Sequence, residues 1–317
     1  MRLQHPHDHF VREFFSEPAH AREFMSAVLP AALAETLDWT RLRGEPATFI
    51  DEDLRQQHSD LLFSVPSQTG EPQQVYLLFE HKSALDRRLS RQLLGYLARI
   101  YAAQHEPAPV IALVFYHGDA PHPAGQRFID DLSLSLERRA FYQPYIPDFG
   151  YVLFDLAHTE PRAWESLALR VFLAALDSAR SPEPARLAGV LRLADQLLRE
   201  PESTRIVHAL LVYLFQVTDL KPAQWRALLT PPPSPALEAT MISTAQQLFE
   251  QGKIEGKIEG KIEGETLFLE RLLQAKFGQL PPSCQRRIAE ADPETLLSWG
   301  ERVLTAATLM EVFADTH

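Results

Sequence analysis

An apolar run, Val75-Tyr-Leu-Leu-Phe79, stops abruptly at Glu80-His-Lys82. A run this short, bounded by polar residues, reads as a buried strand. Side chains alternate along a strand, so Glu80 and Lys82 share one face, about 7 Å apart along the chain, and His81 points to the other. Upstream, Ser59-Asp60-Leu-Leu-Phe-Ser-Val65 is a second strand candidate, and Pro66-Ser-Gln-Thr-Gly-Glu-Pro72 carries the Pro and Gly of a turn. A hairpin of strands 60–65 and 74–81 brings Asp60 beside Glu80 and Lys82. Two carboxylates can hold a divalent ion through oxygen, and an ammonium beside them can orient a water or steady an anionic transition state. The same three residues can also neutralise one another at a sheet end with no metal bound.

Asp60, then Glu80-x-Lys82, resembles the PD-(D/E)XK nuclease superfamily. Along the chain the likeness is closer to the Rpn family of recombination-promoting nucleases, also described as transposases. It is carried by His7-Asp-His-Phe10, Ser59-Asp-Leu-Leu-Phe63, Leu78-Phe-Glu-His-Lys-Ser83, Tyr96-Leu-Ala-Arg-Ile100 and Pro109-Val-Ile-Ala-Leu-Val-Phe-Tyr-His-Gly118. The Gly-Lys-Ile-Glu repeats with Leu272-Leu273 and Phe277-Gly278 are similar to the family's C-terminal half. Many members carry Gln where Lys82 stands, so this chain keeps the fuller pattern. The resemblance implies an α/β restriction-endonuclease-like core with a mixed sheet flanked by helices, followed by an all-α C-terminal region. It implies a Mg²⁺-dependent DNA endonuclease, with Mn²⁺ or Ca²⁺ as other ions of the same chemistry. Asp60, Glu80 and Lys82 would form its centre, and Gln92 would support it. A first helix in the superfamily often brings a further acid to the metal, and Asp8 and Glu13 are the candidates. The alternative is a catalytically idle nuclease fold that binds DNA or acts as a scaffold through its helical tail.

Composition narrows the setting. One cysteine, Cys284, in 317 residues rules out an internal disulfide and a cysteine-rich metal site. The first residues carry no apolar signal core, and no uninterrupted apolar stretch could span a membrane, so a cytoplasmic protein is expected. A formal charge of −11 argues against a protein that coats nucleic acid, but a nuclease needs only a local basic surface. The helix expected over 87–104 supplies one. Within 86–104 four arginines face a single acid, Asp86, and Arg87, Arg88 and Arg91 directly follow the Glu80-x-Lys82 strand. They can steer phosphate or simply form a solvated face.

Around these elements, residues 1–38 read as helical, with Asp8 able to cap the helix that carries Phe10, Phe14 and Phe15. Strands are expected at 109–116 and 151–155, and helices near 161–177, 183–200, 203–217 and 222–229. The expected division is a core over 1–160, a helical extension over 161–230, a linker and repeat helix over 231–264, and a small helical domain over 265–317. Pro231-Pro-Pro-Ser-Pro235 is the stiff break that opens the third segment. Gly252 to Gly264 repeats Gly-Lys-Ile-Glu with a period of four. Like charges recur four residues apart and each glycine costs about 1 kcal/mol in a helix, so such a helix calls for a partner, a second copy of the chain, or serves as a spacer. His5-Pro-His-Asp-His9 is a possible chelate, although no His-Glu-x-x-His motif or cysteine pairing accompanies it. His81 and His117 read as packed residues. No nucleophile elbow, phosphate-binding loop or dinucleotide fingerprint is present.

Overall fold

The computed structural model describes residues 5–45, 61–68, 74–122, 127–158, 164–201, 203–218, 220, 222–228, 232–289, 291–306 and 308–314. The chain forms two compact units, Arg2–Ala245 and Gln246–His317.

In the first unit, helices α1 (Pro6–Phe15), α2 (Pro18–Val28) and α3 (Ala31–Ala34) precede the sheet. Its strands, β1 (Arg43–Gly44), β2 (Leu61–Pro66), β3 (Gln74–Lys82), β4 (Val110–Tyr116) and β5 (Val152–Asp155), lie side by side in chain order. The first three are antiparallel, and the last three are parallel. Parallel neighbours need a crossover, and α4 (Leu89–Ala103) supplies it between β3 and β4. Helix α5 (Leu136–Tyr142) lies in the connection from β4 to β5. Four helices follow: α6 (Leu167–Arg180), α7 (Pro184–Leu197), α8 (Thr204–Val217) and α9 (Pro222–Leu228). The result is an α/β fold with a mixed sheet flanked by helices.

Period-two alternation sorts the sheet residues between two cores. Leu77 and Phe79 of β3 join Leu113 and Phe115 of β4 in the larger core, where Phe15, Phe24, Phe172, Leu187 and Leu210 cover that face. Leu62, Leu78, Ala112 and Val114 face the other way, against Leu89, Leu93, Tyr96, Leu97 and Ile100 of α4. The helices between 164 and 228 thus share one core with the sheet, although the sequence suggested an extension beyond it. A sheet with parallel strands must have both faces covered, and α4 covers only one.

Helix α10 (Pro235–Phe277) starts on the last proline of the Pro231–Pro235 stretch and runs through the whole repeat. Ser234 opens it, its hydroxyl accepting from the Leu237 amide and contacting Asp195. The boundary between the units therefore falls inside this helix, after Ala245, and not at the prolines. The second unit adds α11 (Pro282–Ala289), α12 (Pro293–Thr305) and α13 (Leu309–Val312). Leu269, Leu273, Ile288, Leu296, Trp299 and Val303 form its own core. Among the described residues, no helix is long and apolar enough to cross a membrane.

Candidate active site

The charged end of β3 becomes a site because the sheet and α4 close around it. Glu80 pairs with Val114 and Lys82 with Tyr116 in register with β4, which fixes the strand end. Alternation then turns Glu80 and Lys82 towards α4. Leu89, Leu93 and Tyr96 anchor that helix, and Gln92 stands on the same side. Five side chains meet here. Lys82 Nζ donates to Glu80 Oε1 at 2.9 Å and to Gln92 Oε1 at 2.8 Å. The Gln92 amide nitrogen donates to Glu80 Oε1 at 3.1 Å and also contacts the Tyr96 hydroxyl. Asp86 Oδ2 lies 3.7 Å from Lys82 Nζ.

One oxygen of this cluster stands apart. Glu80 is 1% exposed, and among the described residues its buried Oε2 has no hydrogen-bond partner. Buried polar atoms are normally satisfied, because an unmet acceptor costs on the order of 1–3 kcal/mol. Lys82 already occupies Oε1, so simple neutralisation leaves half of the carboxylate unexplained. A hard cation is the kind of partner such an oxygen fits.

The other sequence-derived candidates fall in different places. Asp60 lies outside the described residues; the residue after it, Leu61, pairs with Phe79, the residue before Glu80. Asp8 is on the opposite side of the sheet. Helix α1 begins at Pro6 with His5 as its N-cap, so Asp8 sits in the first turn and does not cap. Its Oδ1 lies 2.7 Å from His81 Nδ1. Burial pushes the Asp8 carboxyl up, but the hydrogen bond and charge from His81, with smaller help from His5 and His7, hold it below the ordinary value. Glu13 is engaged by Arg205 at 2.7 Å. His7 Nδ1 contacts the Tyr213 hydroxyl at 2.9 Å. Among the described residues, no group of three or more His, Cys, Asp or Glu side chains could hold a metal ion. Arg87, Arg88 and Arg91 are exposed at the start of α4, next to this site in the chain. Sequence reasoning did not assign Tyr96 a role; its spacing of four from Gln92 on an amphipathic helix was the available signal.

Residues 5–205 match a family described as "Putative transposase, YhgA-like". Recombination-promoting nuclease RpnD of Escherichia coli O157:H7 is 34% identical over 149 residues, 45% of this chain and 57% of the relative. Recombination-promoting nuclease RpnA of Escherichia coli K12 is 32% identical over 148 residues, 45% of this chain and 50% of the relative. A further K12 relative is named "Inactive recombination-promoting nuclease-like protein RpnE", 32% identical over 132 residues, 40% of this chain and 44% of the relative. The matches thus span about half the length of these curated relatives. No solved structure matches.

Proposed function

Since the chain belongs to the YhgA-like transposase family, with Rpn recombination-promoting nucleases among its relatives, we propose that it is a metal-dependent DNA endonuclease acting in recombination or on mobile elements. The buried Oε2 of Glu80, without a hydrogen-bond partner among the described residues, carries this reading. Glu80 and Asp60 would hold the ion, with Mg²⁺ as the expected species and Mn²⁺ or Ca²⁺ meeting the same hard-oxygen preference. A divalent ion so held supplies Lewis-acid polarisation of the phosphate and counter-charge for its transition state.

The remaining chemistry belongs to the side chains. Protonated Lys82 can donate and cannot ligate, so it serves to orient the attacking water or to meet charge developing on phosphate. Gln92 accepts from Lys82 and donates to Glu80, which keeps the ammonium from swinging away. Tyr96 bears on Gln92 in turn. The relative named inactive supports the second reading, an idle nuclease fold that binds DNA or acts as a scaffold. Plasmid cleavage by the purified chain, dependent on added Mg²⁺ and lost in Glu80→Gln, separates the two; cleavage that survives Glu80→Gln sinks the first.

Arg87, Arg88 and Arg91 are proposed to contact DNA phosphates. Their exposure and their place just after the Glu80-x-Lys82 strand support this. Replacing all three with Ala is expected to weaken binding across sequences and to flatten the salt dependence by up to about 3 units of log–log slope. An unchanged slope returns them to a solvated face.

Helix α10 is proposed to pair with a second copy of the chain through its repeat. Phe249, Ile254 and Leu267 around it are 70%, 56% and 51% exposed, more apolar surface than an isolated helix gains from showing to water. Sedimentation across micromolar concentrations should show a dimer for the full chain and a monomer after deletion of 252–264. Equal masses would make the repeat a spacer.

A further inference from the structure

The cleavage chemistry leaves three short motifs unused: His7-Asp8 in α1, His81 between Glu80 and Lys82, and His117 just past β4. The fold draws Asp8, His81 and His117 into one line on the sheet face opposite Glu80. His81 Nδ1 lies 2.7 Å from Asp8 Oδ1, and His81 Nε2 lies 2.9 Å from His117 Nδ1. The two imidazoles stack with centroids 4.9 Å apart and planes 13° from parallel. The His81 side chain is fully buried, and His117 is 2% exposed. The His117 amide donates to the Lys82 carbonyl at 3.0 Å, so the line also touches the backbone of the site. At its other end α1 is tied to α8, where His7 contacts the Tyr213 hydroxyl and Phe10 stacks on the Tyr213 ring at 4.4 Å. After His117 the chain turns at Gly118, where a Cβ would collide with the Tyr116 ring.

This line has a direction. A carboxylate only accepts, so His81 Nδ1 carries a proton and donates it to Asp8. His117 stays neutral, since burial, then His81, His7 and Arg180, push its imidazole down to about 2. A ring with its tautomer set at one nitrogen and a neutral partner at the other cannot turn without losing both contacts.

The place of His81 gives that restraint its consequence. His81 is the middle residue of the strand end, paired with Phe115 of β4 between Glu80 and Lys82, which pair with Val114 and Tyr116. Any roll of the strand at residue 81 swings residues 80 and 82 together on the other face. We propose that Asp8, His81 and His117 are positioning residues, which lock the roll of the β3 end and so aim Glu80 and Lys82. The proposal rests on the reading of Glu80 and Lys82 as a cleavage centre. It assigns Asp8 a role other than metal ligation.

The test uses the full chain with Asp8→Ala and Asp8→Asn. Groups hydrogen-bonded to a metal ligand are typically worth 10–100-fold in activity, and Asp8, which acts through His81 one residue from Glu80, is expected at the low end of that range. Asp8→Ala should therefore lower kcat for plasmid cleavage roughly 10-fold, with KM for DNA within about twofold of the parent. Asp8→Asn, which keeps an oxygen acceptor, should recover most of the loss. The spectroscopic arm needs no activity. Nitrogen-15 spectra of the metal-free parent should place a proton on His81 Nδ1, and Asp8→Ala should release it. Parental kcat in Asp8→Ala, or a parental His81 whose only proton is on Nε2, overturns the proposal. If Asp8→Ala does not fold, His117→Gln carries the same kinetic comparison with the same expected loss. A parent that cleaves nothing defeats the cleavage centre instead, and the His81 tautomer still decides whether the directed line exists.

Discussion

Glu80→Gln is expected to cut Mg²⁺-dependent DNA cleavage on the order of a thousandfold, about 4 kcal/mol of transition-state stabilisation. Gln matches the shape of Glu, and its carbonyl oxygen can still accept from Lys82 and Gln92 as Glu80 Oε1 does. The change falls on the other atom. Where Oε2 now lies buried, without a partner among the described residues, the variant places an amide nitrogen, which cannot ligate a cation. The fold should survive, and thermal unfolding of the variant beside the parent checks this. Lys82→Ala should behave differently. It removes a cation next to the carboxylate, so metal affinity is retained or strengthened while turnover falls. Equal losses of metal affinity and turnover in Lys82→Ala would mean that the lysine builds the site and takes no part in the reaction.

Phe115→Ala should be the most destabilising of the simple core truncations, costing about 3–5 kcal/mol. Phe115 is fully buried in the middle of the sheet. Its ring lies 5.5 Å from Phe24, 5.4 Å from Phe154, 6.2 Å from Phe79 and 6.1 Å from Phe172. Strands β3, β4 and β5 and helices α2 and α6 therefore meet at one side chain, and no single neighbour can collapse into the space. Denaturant unfolding followed by tryptophan fluorescence reads the loss, since Trp164 stacks on Phe24 at 5.8 Å. Phe249→Ala, on an exposed part of α10, is the matched control with little expected change in this transition. A loss under about 1 kcal/mol for Phe115→Ala would contradict the packing described.

The strand ends were legible because their signals are local. An apolar run cut off by Glu80-His81-Lys82 has few readings, and it forms β3 with the expected face for each residue. Helix α4 was legible from the spacing of Leu89, Leu93, Leu97, Ile100 and Tyr101; the first four are buried against the sheet, whereas Tyr101 is 41% exposed. Gln92 came from the family resemblance alone, and its contacts with Glu80 and Lys82 depend on how α4 packs. What stayed hidden depends on partners far away in the chain. Nothing near Asp8 names His81, which is 73 residues on, and nothing near His81 names His117. A capping acid, a ligand and a buried acceptor look alike in sequence. The helices after Trp164 looked like an appendage because periodicity reports an apolar face without saying what covers it.

The most direct measurement is cleavage of supercoiled plasmid by the purified full chain in Mg²⁺, in Mg²⁺ with excess EDTA, and by Glu80→Gln in Mg²⁺. Nicked and linear DNA is expected in the first reaction only. Intact plasmid in all three, or cleavage that persists with EDTA or with Glu80→Gln, would contradict metal-dependent cleavage at Glu80.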